Sequence, residues 1–441
     1  MIDVPRSRVW MVSGACGALA LVWPELAWAQ EAQAPTPPVI DSGDTAWMLM
    51  SSALVLLMTA PGLALFYGGL VRTKNVLGTI MQCFMILCVV TLVWILAGYS
   101  LAFGPDRGGL IGSLEWAGLQ TVGTDPHPTY GPTIPHQVFM LFQLMFAAIT
   151  PALITGAFAE RMRFSAVILF TVLWSLFIYS PLAHWVWGGG WLAKMGAVDF
   201  AGGAVVHISS GASALACALV LGARKGYGTV NMAPHNLPMA LLGTGLLWFG
   251  WFGFNAGSGL GANTTAAVAF TATHVAASAA AISWMTAEWL QRGKPTVLGM
   301  ASGVIAGLAT VTPGAGYLGP FSALVVGLAA GAACYFSVVA KGRLGYDDSL
   351  DVVGIHGVGG IIGILATGLL ASVGVKGLLF GNPGQLGVQA VTAVVTAVFT
   401  FVGSLILLKI VDAVVGLRVP VEDEHRGLDL SQHEERAYSG E

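Results

Sequence analysis

Two histidines lie in runs of otherwise small and apolar residues, and each follows an aspartate at the same spacing. His207 comes eight residues after Asp199 in DFAGGAVVH, and His356 comes eight residues after Asp348 in DSLDVVGIH. A histidine in an apolar segment has two interpretations. Its imidazole is either neutral, packed in the core and hydrogen-bonded to a backbone carbonyl group, or a functional group that faces a polar passage. The matched spacing favours a pore-lining pair. His274 has no counterpart at a matched spacing and is predicted to be an ordinary core residue.

Aromatic residues beside glycine-rich segments could bind a cation. A cation over the face of such a ring gains roughly 0.5 to 2 kcal/mol. The candidates are Phe142 and Phe146 in FQLMF, Trp187 in HWVWGGG, and Trp251 and Phe254 in WFGFNAGS. Asp199 is predicted to cap the helix that carries His207, and direct binding of a cation by its carboxylate is the less favoured alternative.

The composition is that of an integral membrane protein. Of the 441 residues, 56% are hydrophobic and only 9% are charged, whereas a soluble domain is roughly a quarter charged. The formal net charge is −3 and no basic patch occurs, which gives no support for a nucleic-acid partner. The sequence has no phosphate-binding loop, HExxH, GxSxG or paired carboxylates, so it indicates neither an enzyme nor a bound cofactor or metal.

The first residues resemble a secretory leader. Arg6 and Arg8 precede a short apolar run that ends in Ala27-Trp28-Ala29, a pattern typical of a cleavage site. We therefore expect residues 1–29 to be a cleaved signal peptide, followed by an extracytoplasmic linker at 30–45; the alternative is an uncleaved additional helix.

The apolar segments predict eleven transmembrane helices. They start near residues 46, 77, 138, 165, 202, 238, 265, 296, 321, 352 and 386, since a crossing needs about 20 apolar residues. One set of alternate loops carries ten lysines and arginines, whereas the other carries only Arg107, Lys194 and Lys376. Positive charge favours the cytoplasmic side, so the N-terminus is predicted outside and the C-terminus inside. The membrane domain is then 46–417, and the polar segment 418–441 is a cytoplasmic tail.

The two histidines indicate an internal repeat. His207 falls on the fifth span and His356 on the tenth, and an odd number of spans per repeat inverts the second copy in the membrane. The predicted fold is therefore an all-α membrane protein with two inverted five-helix repeats and an eleventh helix. The two rings would then meet near the middle of the membrane.

The sequence resembles the ammonium transporter family (Amt/MEP/Rh), and its two histidines favour the bacterial Amt branch. The resemblance rests on ITPALITGAFAERMRF at 149–164, AHWVWGGGWLAKMGAVDFAGGAVVHISSG at 183–211, WFGFNAGS at 251–258, VTPGAGY at 311–317, DVVGIHGVGG at 351–360, and GLRVP and AYSGE in the tail. It implies a homotrimer with one pore per subunit in the bacterial inner membrane. It also implies a trimeric PII-type nitrogen-signalling protein as a partner at the cytoplasmic face, and the alternative for the tail is a solvated, partly disordered end.

The resemblance also implies roles for individual residues. An outer ammonium site would comprise Phe146, Trp187 and Ser258, a gate would comprise Phe146 and Phe254, and His207 and His356 would line the pore. Supporting roles fall to Asp199, Trp251, Thr312, Phe142 and Tyr179. The implied function is ammonium transport, with deprotonation at the outer mouth and passage of ammonia. An ammonium sensor and a gas channel of the same fold are the alternatives, and the short tail speaks against the sensor.

Overall fold

The computed structural model describes residues 39–438. The predicted signal peptide at 1–29 and most of the predicted linker therefore lie outside the described residues. Within the described range, eleven helical segments are long and apolar enough to cross a membrane. The predicted number of spans is confirmed.

The eleven spans are numbered here in chain order. Their bounds are Ser42–Leu70, Thr73–Phe103, His136–Phe158, Phe164–Met195, Gly203–Leu221, Leu237–Gly257, Thr264–Arg292, Val297–Gly314, Pro320–Leu344, Val353–Leu370 and Pro383–Val415. The predicted starts differ from these by at most four residues, as at span 1 (46 against 42) and span 2 (77 against 73). Hydropathy locates the spans well because the bilayer demands uninterrupted apolar helix.

The first span begins earlier than the sequence indicated. The Asp41 side chain caps it, accepting the backbone N–H of Asp44 at 2.8 Å. This cap places Ser42 to Thr45 in the helix, so the predicted linker boundary at 45 was wrong. The polar start SGDT contains no strongly apolar residue, so hydropathy alone does not include it in the span.

Short strands lie outside the membrane between spans 2 and 3. β1 (Asp106–Arg107) pairs antiparallel with β2 (Ile111–Gly112), and β3 (Pro126–His127) pairs antiparallel with β4 (Gly131–Pro135). They add two small hairpins to the all-α architecture. Both hairpins lie on the outer side.

The histidine-bearing spans 5 and 10 begin with one irregular turn each. Gly203–Ile208 and Val353–Gly357 are π-helical, and the helices continue as Ser209–Leu221 and Val358–Leu370. The two spans touch main chain to main chain: a methyl group added at Gly211 would overlap the backbone of Gly357. Glycine at such contacts lets membrane helices approach closely. Span 11 packs along spans 5 and 10.

Buried ion pairs join the cytoplasmic ends of several spans. Glu160 lies 2.7 Å from Arg72 and 3.2 Å from Arg224, and Arg224 also pairs with Asp347 at 2.8 Å. Burial raises the pKa of the Glu160 carboxyl, but the hydrogen bonds from Arg72 and the charge of Arg224 outweigh burial and hold it below its ordinary value. Glu160 is therefore ionised at neutral pH and fixes both arginines.

The tail is folded onto the cytoplasmic side. Val421–Arg426 and Leu428–His433 are short helices. The carboxylate of Asp429 accepts the backbone N–H groups of Leu77 at 3.0 Å and Gly78 at 2.7 Å, and Leu428 N donates to Asn75 Oδ1 at 2.8 Å. Within residues 418–438 the tail therefore packs against the cytoplasmic ends of the spans, with part of its surface exposed.

His274 does not lie in the core. Its side chain is exposed on span 7 and stacks on Trp248 and Phe252, with ring centroids 5.4 and 6.3 Å away. The prediction of a core histidine was wrong because the mixture of alanine with small polar residues in span 7 does not show which face turns outward.

Candidate functional site

A cavity opens at the outer ends of spans 2, 3 and 4, beside the segment that precedes span 5 and the segment that follows span 6. Its volume is about 310 Å³. It brings together the three residues expected to bind ammonium, Phe146, Trp187 and Ser258, and Asp199 also lines it. The other lining residues are Phe103, Thr129, Tyr130, Phe139, Gln143, Val186, Phe200, Leu260 and Tyr317.

One hydrogen bond and one aromatic contact fix the Trp187 ring. The residue ends the helix Ser180–Val186, and its indole Nε1–H donates to the backbone oxygen of Asp199 at 2.7 Å. Its ring meets Phe146 edge to face, with centroids 5.7 Å apart and planes at 84°. Two aromatic rings at right angles thus form adjacent walls of the cavity.

Ser258 offers an acceptor to the cavity. The residue follows the end of span 6, and its hydroxyl donates to the backbone oxygen of Phe254 at 2.9 Å. A hydroxyl has one hydrogen and two lone pairs. Because its hydrogen is used inside the helix, the Ser258 oxygen can only accept from a ligand.

Asp199 is the capping residue that the sequence predicted, and it caps extensively. Its carboxylate accepts the backbone N–H groups of Gly202, Gly203, Ala204 and Val205 at 2.9, 2.5, 2.8 and 3.1 Å. Burial raises the pKa of the Asp199 carboxyl, and these four bonds oppose that rise without cancelling it. Among the lining residues it is the one acidic group.

Two tyrosines on the cavity wall remain neutral. Burial raises the pKa of Tyr130 to about 12 and that of Tyr317 to about 12. Tyr130 stacks on Phe139, with ring centroids 5.2 Å apart and planes at 13°. The walls therefore supply ring faces and neutral hydroxyls.

A pair of stacked phenyl rings closes the cavity floor. The centroids of Phe146 and Phe254 are 4.2 Å apart and their planes meet at 31°. Both side chains are buried. Phe146 lines the cavity, whereas Phe254 faces inward, with its centroid 6.2 Å from that of His207. The phenyl pair thus separates the cavity from the histidines.

The two histidines face each other beyond the phenyl rings. Their centroids lie 5.2 Å apart with planes at 19°, and the two Nδ1 atoms are 3.2 Å apart. A hydrogen bond at this distance requires one Nδ1 to carry a hydrogen and the other to accept it. His207 Nε2 is buried without a hydrogen-bond partner among the described residues, so this atom is free to meet a ligand.

A network of hydrogen bonds holds the Trp251 ring against the His207 ring. The Trp251 and His207 rings stack at 5.6 Å, and the Trp251 Nε1–H donates to the Thr312 hydroxyl at 3.0 Å. The Asn255 amide lies 3.2 Å from the same hydroxyl and donates to Thr273 at 2.9 Å. All are buried. Spans 6, 7 and 8 together orient the His207 ring.

Four of the five expected supporting residues do not line the cavity; Trp251 and Thr312 belong to the network beside His207, and the other two are Phe142 and Tyr179. Phe142 packs behind Phe146, with centroids 5.0 Å apart. Tyr179 is fully buried in the π-helical segment Ser175–Tyr179, and its hydroxyl has no hydrogen-bond partner among the described residues. Neither residue lines the cavity.

Sequence reasoning missed several wall residues. Gln143 lies between the two phenylalanines of FQLMF, and its buried Oε1 has no partner among the described residues. Its polarity within an apolar span was an available signal. Tyr130 and Tyr317 lie in loops between spans, where no periodicity distinguishes them.

An eleven-span protein with a passage of this kind belongs to the class of multi-pass membrane transport proteins. The sequence model of the Ammonium Transporter Family matches residues 46–438. The chain belongs to the ammonium transporter family.

Individual relatives agree with this assignment. An ammonium transporter of Bacillus subtilis is 51% identical over 402 residues, covering 90% of this chain and 98% of that protein. The ammonium transporter Amt1 of Archaeoglobus fulgidus is 48% identical over 404 residues, covering 91% of this chain and all of that protein.

Solved structures share the fold. The crystal structure of Mep2 from Saccharomyces cerevisiae has a TM-score of 0.82 and 36% identity, covering 87% of this chain and 88% of that one. The structure of a sensor Amt protein has a TM-score of 0.82 and 30% identity, covering 89% of this chain and 98% of that one. The fold therefore serves proteins described as transporters and one described as a sensor.

Proposed function

We propose that this protein takes up ammonium across the bacterial inner membrane and conducts ammonia past the paired side chains of His207 and His356. The observation that carries the proposal is the order of chemical groups from the outer cavity inward. An acidic cavity with ring faces is followed by the phenyl pair and then by two facing imidazoles.

The cavity suits recruitment of ammonium. The Asp199 carboxylate favours a cation, and the rings of Phe146 and Trp187 attract it. Ammonium donates hydrogen bonds and potassium does not, so the acceptor-only Ser258 oxygen provides a contact that separates two ions of similar size.

Deprotonation before the phenyl pair accounts for the apolar passage beyond. An unpaired cation there would lose its hydration without compensation, and desolvation favours the neutral form of an amine. Ammonium releases one proton and becomes ammonia, which is small and uncharged. Ammonia then passes the rings of Phe146 and Phe254.

The histidine pair suits a neutral ligand. The two Nδ1 atoms are hydrogen-bonded to each other, which leaves Nε2 of His207 free. This atom can donate a hydrogen bond to ammonia or accept one from it. The released proton either returns to the outer solution or crosses along the pair. Measurement of the current across the membrane distinguishes these two routes of the proton.

The test is the ammonium-induced current of proteoliposomes, measured for wild type, His207→Asp, His356→Ala and the double variant His207→Ala with His356→Ala. Wild-type protein is expected to give a current that saturates with ammonium. Uptake of ammonia without current would refute passage of the proton, and unchanged current in a double His→Ala variant would refute a relay through the pair. No transport in either form would refute the transporter itself.

Two rival functions predict different results. A gas channel with no cation step would tolerate Trp187→Ala and Ser258→Ala, whereas a transporter that recruits ammonium would lose affinity in both. A sensor would bind ammonium with little flux. The structural neighbour described as a sensor shares the span arrangement, so flux measurement rather than fold decides between these functions.

We also propose that the protein is a homotrimer whose cytoplasmic face binds a trimeric PII-type protein. The folded tail supports this, since an ordered segment held by Asn75 and by the backbone of Leu77 and Gly78 gives a partner a defined surface. A pull-down with and without residues 418–441 tests it. Equal binding by the truncated protein would remove the tail from the interaction.

A further inference from the structure

The chain enters span 5 through irregular backbone. Residues 197–199 have no regular secondary structure; they follow the short helix Trp191–Met195 and precede the π-helical turn Gly203–Ile208. Peptide groups away from water need hydrogen-bond partners. Here those partners come from elsewhere in the chain.

A buried glutamine of span 11 supplies two of the bonds. Gln389 is fully buried, its Oε1 accepts the backbone N–H of Val198 at 2.9 Å, and its Nε2 donates to the backbone oxygen of Val198 at 2.6 Å. One side-chain amide thus satisfies both main-chain groups of one residue. Gln385, one turn earlier, donates to the backbone oxygen of Gly196 at 3.0 Å.

The following residues carry the outer site. Asp199 comes directly after Val198; its backbone oxygen accepts the Trp187 indole, and its carboxylate caps the turn that leads to His207. On the other side, Phe200 N donates to Pro313 O at 3.0 Å. The segment is therefore held at two points around Asp199, by span 11 before it and by Pro313 after it.

We propose that Gln389 is a positioning residue for the ammonium site. Gln389 fixes the backbone of Val198. Through the next residue, Asp199, it determines the position of the Trp187 ring and of the start of the helix that carries His207. The inference rests on the proposed function, because it assumes that this cavity binds ammonium. It also gives span 11, which has no counterpart in the two five-helix repeats, a part in the site.

Only an amide side chain, or a protonated carboxyl group, can form both hydrogen bonds that Gln389 makes with Val198. A glutamine presents a donor and an acceptor in one plane, as the two groups of Val198 require. Leucine offers neither. An ionised glutamate accepts from Val198 N but repels Val198 O, whereas a protonated one supplies both groups again.

The first measurement is hydrogen exchange of the segment 196–206 in purified wild type, Gln389→Leu and the control Thr396→Val. The Thr396 hydroxyl is buried on the same span without a partner among the described residues, so its removal is expected to leave exchange unchanged. Gln389→Leu is expected to speed exchange of the amides from Val198 to Val205. Unchanged exchange in Gln389→Leu would overturn the proposal.

The second measurement is the half-saturating ammonium concentration in proteoliposomes. Gln389→Leu is expected to raise it about tenfold or more, since a displacement near 1 Å at a binding site has effects up to about a hundredfold. Gln389→Glu is expected to behave as wild type or to recover toward it as the pH falls. Faster exchange with an unchanged half-saturating concentration, or a glutamate variant as impaired as leucine at every pH, would overturn the positioning role. Absence of wild-type transport would instead refute the proposed function, while the exchange data would still decide whether Gln389 orders the segment.

Discussion

Replacing Asp199 with asparagine is expected to destabilise the protein far more than the matching change at Asp348. Both aspartates lie eight residues before one of the two facing histidines and precede its helix. Asp199 accepts four backbone N–H groups, whereas Asp348 accepts one, from Val353 at 2.7 Å. The two aspartates therefore occupy equivalent positions but accept different numbers of backbone hydrogen bonds.

The magnitude follows from what an amide can accept. An asparagine oxygen can keep two of the four bonds at position 199, and its NH₂ group then faces the other two donors. Hydrogen bonds to a charged group contribute about 1.5 to 3 kcal/mol each, so Asp199→Asn is expected to cost about 3 to 6 kcal/mol. At position 348 the amide oxygen can keep the single bond, and the cost is expected to be about 1 kcal/mol or less.

The measurement is the free energy of unfolding of both variants in the same detergent or lipid, together with ammonium transport. Asp199→Asn is expected to lose transport even where it stays folded, because its carboxylate caps the start of the helix that carries His207. Equal losses of stability in the two variants would refute the argument from bond number.

Three further predictions follow from the geometry. Ser258→Ala removes the cavity acceptor and is expected to raise the half-saturating ammonium concentration about tenfold or more; unchanged affinity in transport assays would contradict it. Burial raises the pKa of the Asp348 carboxyl to about 6 from 3.8, so its folded form binds a proton more tightly than its unfolded form. Its contribution to stability should therefore increase as the pH falls from about 6 to about 4, and thermal unfolding of Asp348→Asn should lack that component. Asp429→Ala removes the acceptor for Leu77 and Gly78 and is expected to release the tail, measured as faster cleavage by a protease; wild-type resistance would show that other contacts suffice.

The eleven spans could be predicted because each crossing is a local property of about 20 apolar residues. The cap at Asp199 was also local, since the residue stands next to the helix it caps. The pairing of His207 with His356 needed the repeat as well as hydropathy, because the two rings are 149 residues apart in the chain.

Contacts of polar side chains with distant backbone groups could not be predicted. Asp429 meets Gly78 across 351 residues, and Gln389 meets Val198 across 191. Both contacts use polar side chains whose partners are backbone groups, which have no signature in a sequence. The exposure of His274 was missed for a related reason: hydropathy reports how apolar a span is, not which neighbour covers each face.

The contact between Gly211 and Gly357 has a mechanical consequence. The two imidazoles sit on helices whose backbones already touch beside them, so the distance between the rings is set by main-chain atoms, which have no rotamers to change. A rocking motion of one repeat against the other would need to pivot at this point. Under the proposed function this contact would fix the gauge of the passage, and exchange of the rings would alter selectivity there more readily than a shift of the helices.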